Sequence, residues 1–258
     1  MTDPIVKLDQ IRFHYSGGER DVLRQLSLEI RKGDIVAILG PNGVGKTTLL
    51  HLILGWLKPE EGSISVNGKP ISEYGRKEMG KMTGLVPQDE HITFDYSLLE
   101  YVLHGRYPHL KSLEAPGPED RIIALESLKR VGMDTLAERP VTHLSGGEKQ
   151  LVLIARSLTQ EPSVVLLDEP MSNLDIANKR MIINVLRSLK KEGVTILFTT
   201  HEPEIAATLC DSVILMGRDK HIEQGPADAI LTGDALSRIY EIPVDIVSHD
   251  GRKIIMWY

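Results

Sequence analysis

The feature that most constrains this chain is a loop with two fixed glycines, a lysine and a hydroxyl, Gly40-Pro41-Asn42-Gly43-Val44-Gly45-Lys46-Thr47. It follows a continuous apolar segment, Asp34–Leu39, which is typical of a strand buried on both faces of a parallel sheet. A helix is predicted to begin within the loop, over Lys46–Leu54. Glycines let backbone N–H groups curve around an anion, and the helix N-terminus adds a positive dipole end. The loop therefore predicts a phosphate site, with Lys46 on the β- and γ-phosphates and the Thr47 hydroxyl on Mg²⁺.

Two acidic residues follow a second apolar strand. The predicted strand Ser163–Asp168 ends at Asp168 and Glu169. Ligands of open α/β sheets bind at the carboxyl ends of strands, so Asp168 is predicted to hold Mg²⁺ and Glu169 to orient or deprotonate a water molecule. A solvated acidic pair is the alternative, which the apolar strand and the complete phosphate loop disfavour. Together these motifs indicate a P-loop NTPase, a class that includes kinases, GTPases and helicases.

The order of predicted elements indicates an α/β fold with a mostly parallel, RecA-like sheet. The N-terminal segments Ile5–Phe13 and Gln25–Ile30 predict an antiparallel β subdomain, and helical spacing predicts an α-helical insertion over about 89–160. Asp250-Gly251 predicts a C-terminal hairpin between Val244–Ser248 and Arg252–Trp257. We expect one domain of 258 residues. Its core and β subdomain would cover about 1–88 and 161–240, and a hairpin tail about 241–258.

Bulk properties exclude several classes of protein. The formal net charge is −6, so a nucleic-acid partner is not expected. The single cysteine, Cys210, cannot form an internal disulfide and fits a reducing compartment. No signal-peptide pattern and no apolar run of about 20 residues is visible, so we expect a soluble chain with, at most, a peripheral membrane role.

A third motif, Leu144-Ser145-Gly146-Gly147-Glu148, opens a predicted helix over Glu148–Leu158. Ser145 is a good N-cap, and Glu148 three residues later completes a capping box. A glycine-rich helix N-terminus also suits an anion. This LSGGE segment, just before the acidic strand and in a chain with a complete phosphate loop, resembles the signature motif of ABC ATPases.

Further motifs carry the resemblance from about Ile5 to Gly233. Gln88 matches the Q-loop, Ser172–Asp175 resembles the D-loop, His201 matches the switch histidine, and Tyr15 matches the aromatic residue that stacks on adenine. The resemblance implies ATP and Mg²⁺ as ligands, and a homodimer in which Ser145 and Gly147 touch the γ-phosphate of the other copy's ATP. The implied nucleotide-binding residues are Tyr15, Asn42, Gly43, Gly45, Lys46, Thr47, Thr48, Ser145, Gly146, Gly147 and Asp175. The implied catalytic residues are Lys46, Gln88, Glu169 and His201, and the implied metal ligands are Thr47, Gln88 and Asp168.

Departures from the family pattern are small. Met171 stands where a threonine is usual, and Leu151 where an arginine is common. Neither is a phosphate ligand in the family scheme, so hydrolysis is still expected.

The segment His104-Gly105-Arg106-Tyr107-Pro108-His109 resembles one found in ATPases of iron–siderophore, haem and cobalamin importers. This implies transmembrane permease subunits, an extracytoplasmic solute-binding protein, and a peripheral location at the cytoplasmic face of the membrane. A helix that ends at Tyr-Pro is the structural alternative for this segment. Molybdate or tungstate importers share much of the pattern, so the solute stays open between a metal chelate and an oxyanion.

Two other classes are disfavoured. A non-transport ABC ATPase usually carries long coiled coils or two cassettes, and this chain has neither. A P-loop kinase or GTPase has no place for LSGGE, and no guanine-reading N-K-x-D is present.

Overall fold

The computed structural model describes residues 3–17, 20–249 and 252–258. The chain divides into two compact units, Met1–Glu73 with Thr195–Tyr258, and Tyr74–Val194. The subdomain boundaries given above divide the chain differently and stay predictions.

The first unit contains an antiparallel sheet in the order β2-β1-β4-β5. Its strands are β1 (Val6–Phe13), β2 (Leu23–Ile30), β4 (Glu61–Val66) and β5 (Lys69–Pro70). Leu26, Leu28 and Ile30 are buried while the residues between them are exposed, as the period-two pattern predicts. The structure confirms the predicted antiparallel β region.

A second group of strands in this unit is mostly parallel. It consists of β3 (Ile35–Leu39), β8 (Thr195–Thr200), β9 (Ser212–Met216) and β10 (Ile222–Pro226). β3 lies between β8 and β9 and is parallel to both, whereas β10 is antiparallel to β9. Every residue of β3 and β8 is buried. This burial explains the continuous apolar sequence of β3 and the apolar centre of β8, which buried threonines flank.

Helices and a hairpin complete the first unit. The helices are α1 (Lys46–Ile53), α7 (Pro203–Leu209), α8 (Ala227–Ile230) and α9 (Gly233–Tyr240). The hairpin strands β11 (Val244–His249) and β12 (Arg252–Trp257) pair antiparallel. This pairing was predicted, but the turn residues Asp250 and Gly251 lie outside the described residues.

The second unit is mainly helical. Its helices are α2 (Arg76–Met82), α3 (Leu98–Leu103), α4 (Pro118–Arg130), α5 (Gly146–Leu158) and α6 (Ile176–Lys191). Two strands, β6 (Thr83–Val86) and β7 (Val164–Leu167), pair in parallel. Helix α3 ends at Leu103, because His104–Arg106 tightens into a 3₁₀ turn.

Candidate functional site

The phosphate loop joins β3 to α1, as predicted. Gly45 caps α1 with φ 111° and has no side chain to cover the helix N-terminus. This positive φ favours glycine. Lys46 is 6% exposed, and its Nζ donates to the carbonyl oxygens of Gly40 (2.8 Å) and Pro41 (3.2 Å). The ammonium group is thus held over the loop, which fits a phosphate ligand there.

Tyr15 lies beside the helix that follows this loop. Its hydroxyl shares a 2.9 Å hydrogen bond with the hydroxyl of Thr48, and its ring packs edge-on against Phe13. The ring is 47% exposed. A flat aromatic face next to α1 is therefore open to a ligand.

His201 is at the same strand edge as the phosphate loop. β3 and β8 pair in parallel with Leu39 opposite Thr200, so Gly40 and His201 are the next residues beyond each strand. The His201 side chain is exposed. The first unit therefore brings together three features that the sequence separates widely: Tyr15, the phosphate loop and His201.

In the second unit, an amide and an acidic side chain likewise follow the ends of two parallel strands. Val86 on β6 lies opposite Leu167 on β7, and the Asp168 amide donates to the Val86 carbonyl at 2.9 Å. Gln88 and Asp168 therefore follow neighbouring strand ends. Asp168 is 8% exposed, whereas Gln88 is exposed.

Glu169 has a strained backbone. Its φ is 43°, in the left-handed region that side-chain-bearing residues rarely adopt. Its carbonyl accepts from both the amide (3.0 Å) and the hydroxyl (2.9 Å) of Ser172, which closes a tight turn. Strain of this kind is concentrated at functional sites, where it fixes the direction of a side chain.

The LSGGE segment forms the predicted capping box at the start of α5. The Ser145 hydroxyl accepts from the Glu148 amide, and Glu148 Oε2 accepts from the Ser145 amide at 2.8 Å. Hydrogen bonds from Ser145 lower the pKa of Glu148 below its ordinary value, and Arg139 acts in the same direction. Ser145 and Gly146 remain exposed. The LSGGE segment can therefore cap its own helix and still expose Ser145 and Gly146 to a ligand.

Asp175 has a similar role at α6. Its Oδ1 accepts from the Asn178 amide at 2.7 Å, which caps the helix. The second unit therefore holds Gln88, Asp168, Glu169, the LSGGE segment and Asp175.

A charged cluster begins two residues after Gln88, at Glu90, and no sequence motif predicted it. Both Nη atoms of Arg156 donate to the Glu90 carboxylate, at 2.6 and 2.7 Å, and the Tyr101 hydroxyl donates to it at 2.6 Å. Burial raises the pKa of Glu90, but these hydrogen bonds outweigh burial and leave that pKa below its ordinary value. Glu90, two residues after Gln88, was the only sequence signal for this cluster. Nothing in the sequence links Glu90 to its partner Arg156, which is 66 residues away.

The segment His104–His109 has a structural role. Arg106 Nη1 donates to the Thr159 carbonyl at 2.9 Å, and a ring nitrogen of His109 lies 2.9 Å from the Gln160 carbonyl oxygen. Both contacts attach the segment to the end of α5. Tyr107 is the C-cap of the 3₁₀ turn His104–Arg106, which is the helix-ending position that the structural alternative gives to Tyr-Pro.

Four ring-bearing residues around this segment form what we call the aromatic surface: Phe94, Tyr96, His104 and Tyr107. His104 stacks on Tyr107 at 5.4 Å between ring centroids and meets Tyr96 edge-on at 5.0 Å, and Tyr96 contacts Phe94. Phe94 is 67% and Tyr107 56% exposed. Packed rings with exposed faces are typical of a protein contact site.

No helix within the described ranges is both long and apolar enough to cross a membrane. No group of three or more His, Cys, Asp or Glu side chains in residues 3–17, 20–249 and 252–258 could hold a metal ion.

Comparison with known proteins agrees with this geometry. The ABC transporter family model matches residues 23–172. An iron chelatin transport ATP-binding protein of Helicobacter pylori is 33% identical, over 97% of this chain and 98% of that protein. The molybdate import ATP-binding protein MolC of Haemophilus influenzae is 35% identical, over 93% of this chain and 89% of that protein.

A solved structure extends the likeness to the fold. A chain of a metal-chelate type ABC transporter in an inward-facing conformation superimposes with a TM-score of 0.87 and 32% identity. The alignment covers 99% of this chain and 97% of that one. This confirms the predicted P-loop NTPase fold. The chain therefore belongs to the ABC transporter family, as one of its ATP-binding ATPases.

Proposed function

We propose that this chain is the ATP-hydrolysing subunit of a membrane importer for metal chelates, and that two copies close on two ATP molecules. One observation carries the proposal: parallel strand register sets the phosphate loop beside His201 in one unit, and Gln88 beside Asp168 in the other. These are the groups that phosphoryl transfer needs for holding phosphates, for a metal and for orienting water.

The roles are as follows. Lys46 and the loop amides bind the β- and γ-phosphates, and Tyr15 stacks on adenine. Thr47, Gln88 and Asp168 hold Mg²⁺, which neutralises charge on the phosphates. Glu169 orients or deprotonates the attacking water, and His201 contacts the transferring phosphoryl group. Catalysis is then mainly positioning and charge stabilisation.

The exposed tip of α5 supports the proposed dimer. Each chain carries one phosphate loop and one LSGGE segment, so ATP bound to one copy is completed by Ser145 and Gly147 of the other. Glu169→Gln should keep ATP affinity, lower turnover by about 100-fold or more, and accumulate a dimer with Mg-ATP in analytical ultracentrifugation. Adding Ser145→Arg should abolish that dimer while ATP still binds. Full turnover in Glu169→Gln would remove Glu169 from its role.

The partner of the aromatic surface, we propose, is the permease. Phe94 and Tyr107 are exposed, and their rings pack against Tyr96 and His104. Replacing both by serine should abolish co-purification with the permease but preserve Mg-ATP-driven dimerisation. Trp56, which is 63% exposed in the first unit, provides the matched control, and its replacement by serine should leave co-purification intact.

The names of the relatives support the proposed location and solute. We place the chain peripherally at the cytoplasmic face of the membrane, with an outer binding protein delivering the solute. Metal chelates are favoured by the iron chelatin relative and the metal-chelate type structure. Molybdate is the second candidate because MolC is 35% identical. Uptake of labelled ferric siderophore and labelled molybdate by cells with the native chain or Lys46→Ala distinguishes them, since only the true solute's uptake should depend on Lys46.

A further inference from the structure

A hydrogen bond joins the C-terminal part of the chain to the residue proposed as the switch histidine. The Tyr240 hydroxyl donates to the main-chain carbonyl of His201 at 3.0 Å. Both residues are in the first unit. Tyr240 is the last residue of α9 and follows the region 23–172 that the family model matches. We propose that Tyr240 is a positioning residue for ATP hydrolysis, which acts by fixing the His201 main chain; this inference rests on the proposed role of His201.

The His201 ring depends on its main chain for its position. The side chain is exposed, so its direction depends on the peptide units on either side of it. His201 lies in the short link between β8, which ends at Thr200, and α7, which begins at Pro203. On one side of it, the Glu202 amide donates to the Thr200 hydroxyl at 3.0 Å. The Tyr240 hydroxyl holds the carbonyl of His201 itself, so it limits rotation of the peptide that directs the ring.

Tyr240 is well placed to provide a fixed point. Helix α9 buries Ala235, Leu236 and Ile239, and the Thr232 hydroxyl caps its start by accepting from the Ala235 amide. Immediately after Tyr240, Glu241 takes a left-handed conformation with φ 59° and ends the helix. The phenol therefore extends from the end of a packed helix and not from a loose segment.

The hairpin that follows anchors α9 further. The Ser237 hydroxyl accepts from the Val244 amide at 2.8 Å and lies 3.3 Å from the Val244 carbonyl oxygen. Lys253 on β12 donates to the carbonyl oxygens of Asp228 (2.8 Å) and Leu231 (3.0 Å), just before α9. The hairpin therefore holds α9 in place, and α9 carries the Tyr240 hydroxyl that bonds to His201.

Tyr240→Phe tests the inference because it removes only the hydroxyl and keeps the ring. Losing one neutral hydrogen bond should lower kcat for ATP about three- to tenfold. The KM for ATP should not change, since the phenol bonds to main chain and not to nucleotide. Tyr258→Phe is the matched control, because that ring is 74% exposed at the C-terminus, and it should behave like the native chain.

Two further measurements separate positioning from general stability. The His201 ring resonance, assigned in ¹³C-histidine-labelled full-length protein by its loss in His201→Ala, should shift in Tyr240→Phe and not in Tyr258→Phe. Tyr240→Phe should also add no further loss of kcat when combined with His201→Ala. An unshifted His201 resonance, or an unchanged kcat in Tyr240→Phe, would overturn the inference.

The kcat of His201→Ala alone distinguishes a failure of the proposed role of His201 from a failure of the role of Tyr240. Native kcat in His201→Ala would refute the proposed role of His201 and the inference with it. A strong loss in His201→Ala with no effect of Tyr240→Phe would refute only the role of Tyr240.

Discussion

Gly147 in the LSGGE segment lies directly against the side chain of Asn178 on α6. A β-carbon at residue 147 would fall 2.2 Å from Asn178 Oδ1 and 2.4 Å from its Cγ. Gly146, one residue earlier, has its nearest neighbour, Leu174 Cδ2, at an ordinary 3.7 Å. The two glycines of one motif therefore meet different constraints within the chain itself, before any nucleotide or second copy is present.

This difference predicts unequal effects of alanine. Gly147→Ala should lower the free energy of unfolding by about 1–3 kcal/mol, the usual cost of overpacking. Gly146→Ala should be neutral or slightly stabilising, because alanine favours a helix more than glycine does. Urea denaturation of both variants measures the difference. Asn178→Gly should restore part of the stability lost in Gly147→Ala, and equal losses at 146 and 147 would contradict the argument.

The buried guanidinium of Arg106 predicts a large stability effect. Its side chain is 8% exposed, and it pairs with Asp120 at 2.8 Å and Glu161 at 2.7 Å. The hydrogen bond from Arg106 holds the pKa of Asp120 below its ordinary value. Arg106→Met leaves Asp120 and the Thr159 carbonyl without this partner, so unfolding free energy should fall by about 3 kcal/mol.

A more exposed ion pair provides the comparison. Arg130 pairs with Glu192, and their side chains are 31% and 43% exposed. Arg130→Met should therefore cost less than about 1 kcal/mol in the same denaturation experiment. Equal losses of unfolding free energy in Arg106→Met and Arg130→Met would mean that burial does not determine the contribution of Arg106 to stability.

Short-range patterns predicted the strands and motifs well. The apolar strands β3 and β7 lie within one residue of their predicted bounds, because a strand buried on both faces favours an unbroken apolar sequence. Asp168 and Glu169 follow β7, so the end of that strand also located these two acidic residues.

Elements with weak patterns were missed. Helix α2 has the sequence RKEMGKM and buries only Met79, and β10 has no alternation and ends in Gly-Pro. Contacts between distant residues were equally invisible. The Glu90–Arg156 and Tyr240–His201 pairs span 66 and 39 residues, and no local periodicity links such positions.

The aromatic surface should make stability depend on pH. Burial lowers the pKa of His104 below its ordinary value of 6.5, and nearby Arg156 lowers it further, while Glu90 and Glu100 oppose the shift. The unfolded chain therefore binds the proton more readily, so this contribution to stability is present above pH 6.5 and is lost as the pH falls below it. His104→Asn should flatten the decline in unfolding free energy between pH 7.5 and 5.5. His91→Asn, at an exposed histidine, should leave the decline unchanged, and an unaltered decline in His104→Asn would refute the assignment.

Tyr15 has two separable features, a half-exposed ring and a hydroxyl bonded to Thr48. If the ring stacks on adenine, Tyr15→Ala should weaken ATP binding about tenfold, since stacking of a base on an aromatic ring contributes on the order of 1–3 kcal/mol. Tyr15→Phe keeps the ring and should bind ATP nearly as the native chain does, apart from a small loss of stability from the missing hydrogen bond.

Equilibrium titration with ATP and with inorganic triphosphate distinguishes contact with the base from support of the phosphate loop. Triphosphate has no base, so its affinity should be the same in the native chain, Tyr15→Ala and Tyr15→Phe. If Tyr15→Ala loses affinity for triphosphate as well as for ATP, Tyr15 supports the phosphate loop through Thr48 and does not contact the base.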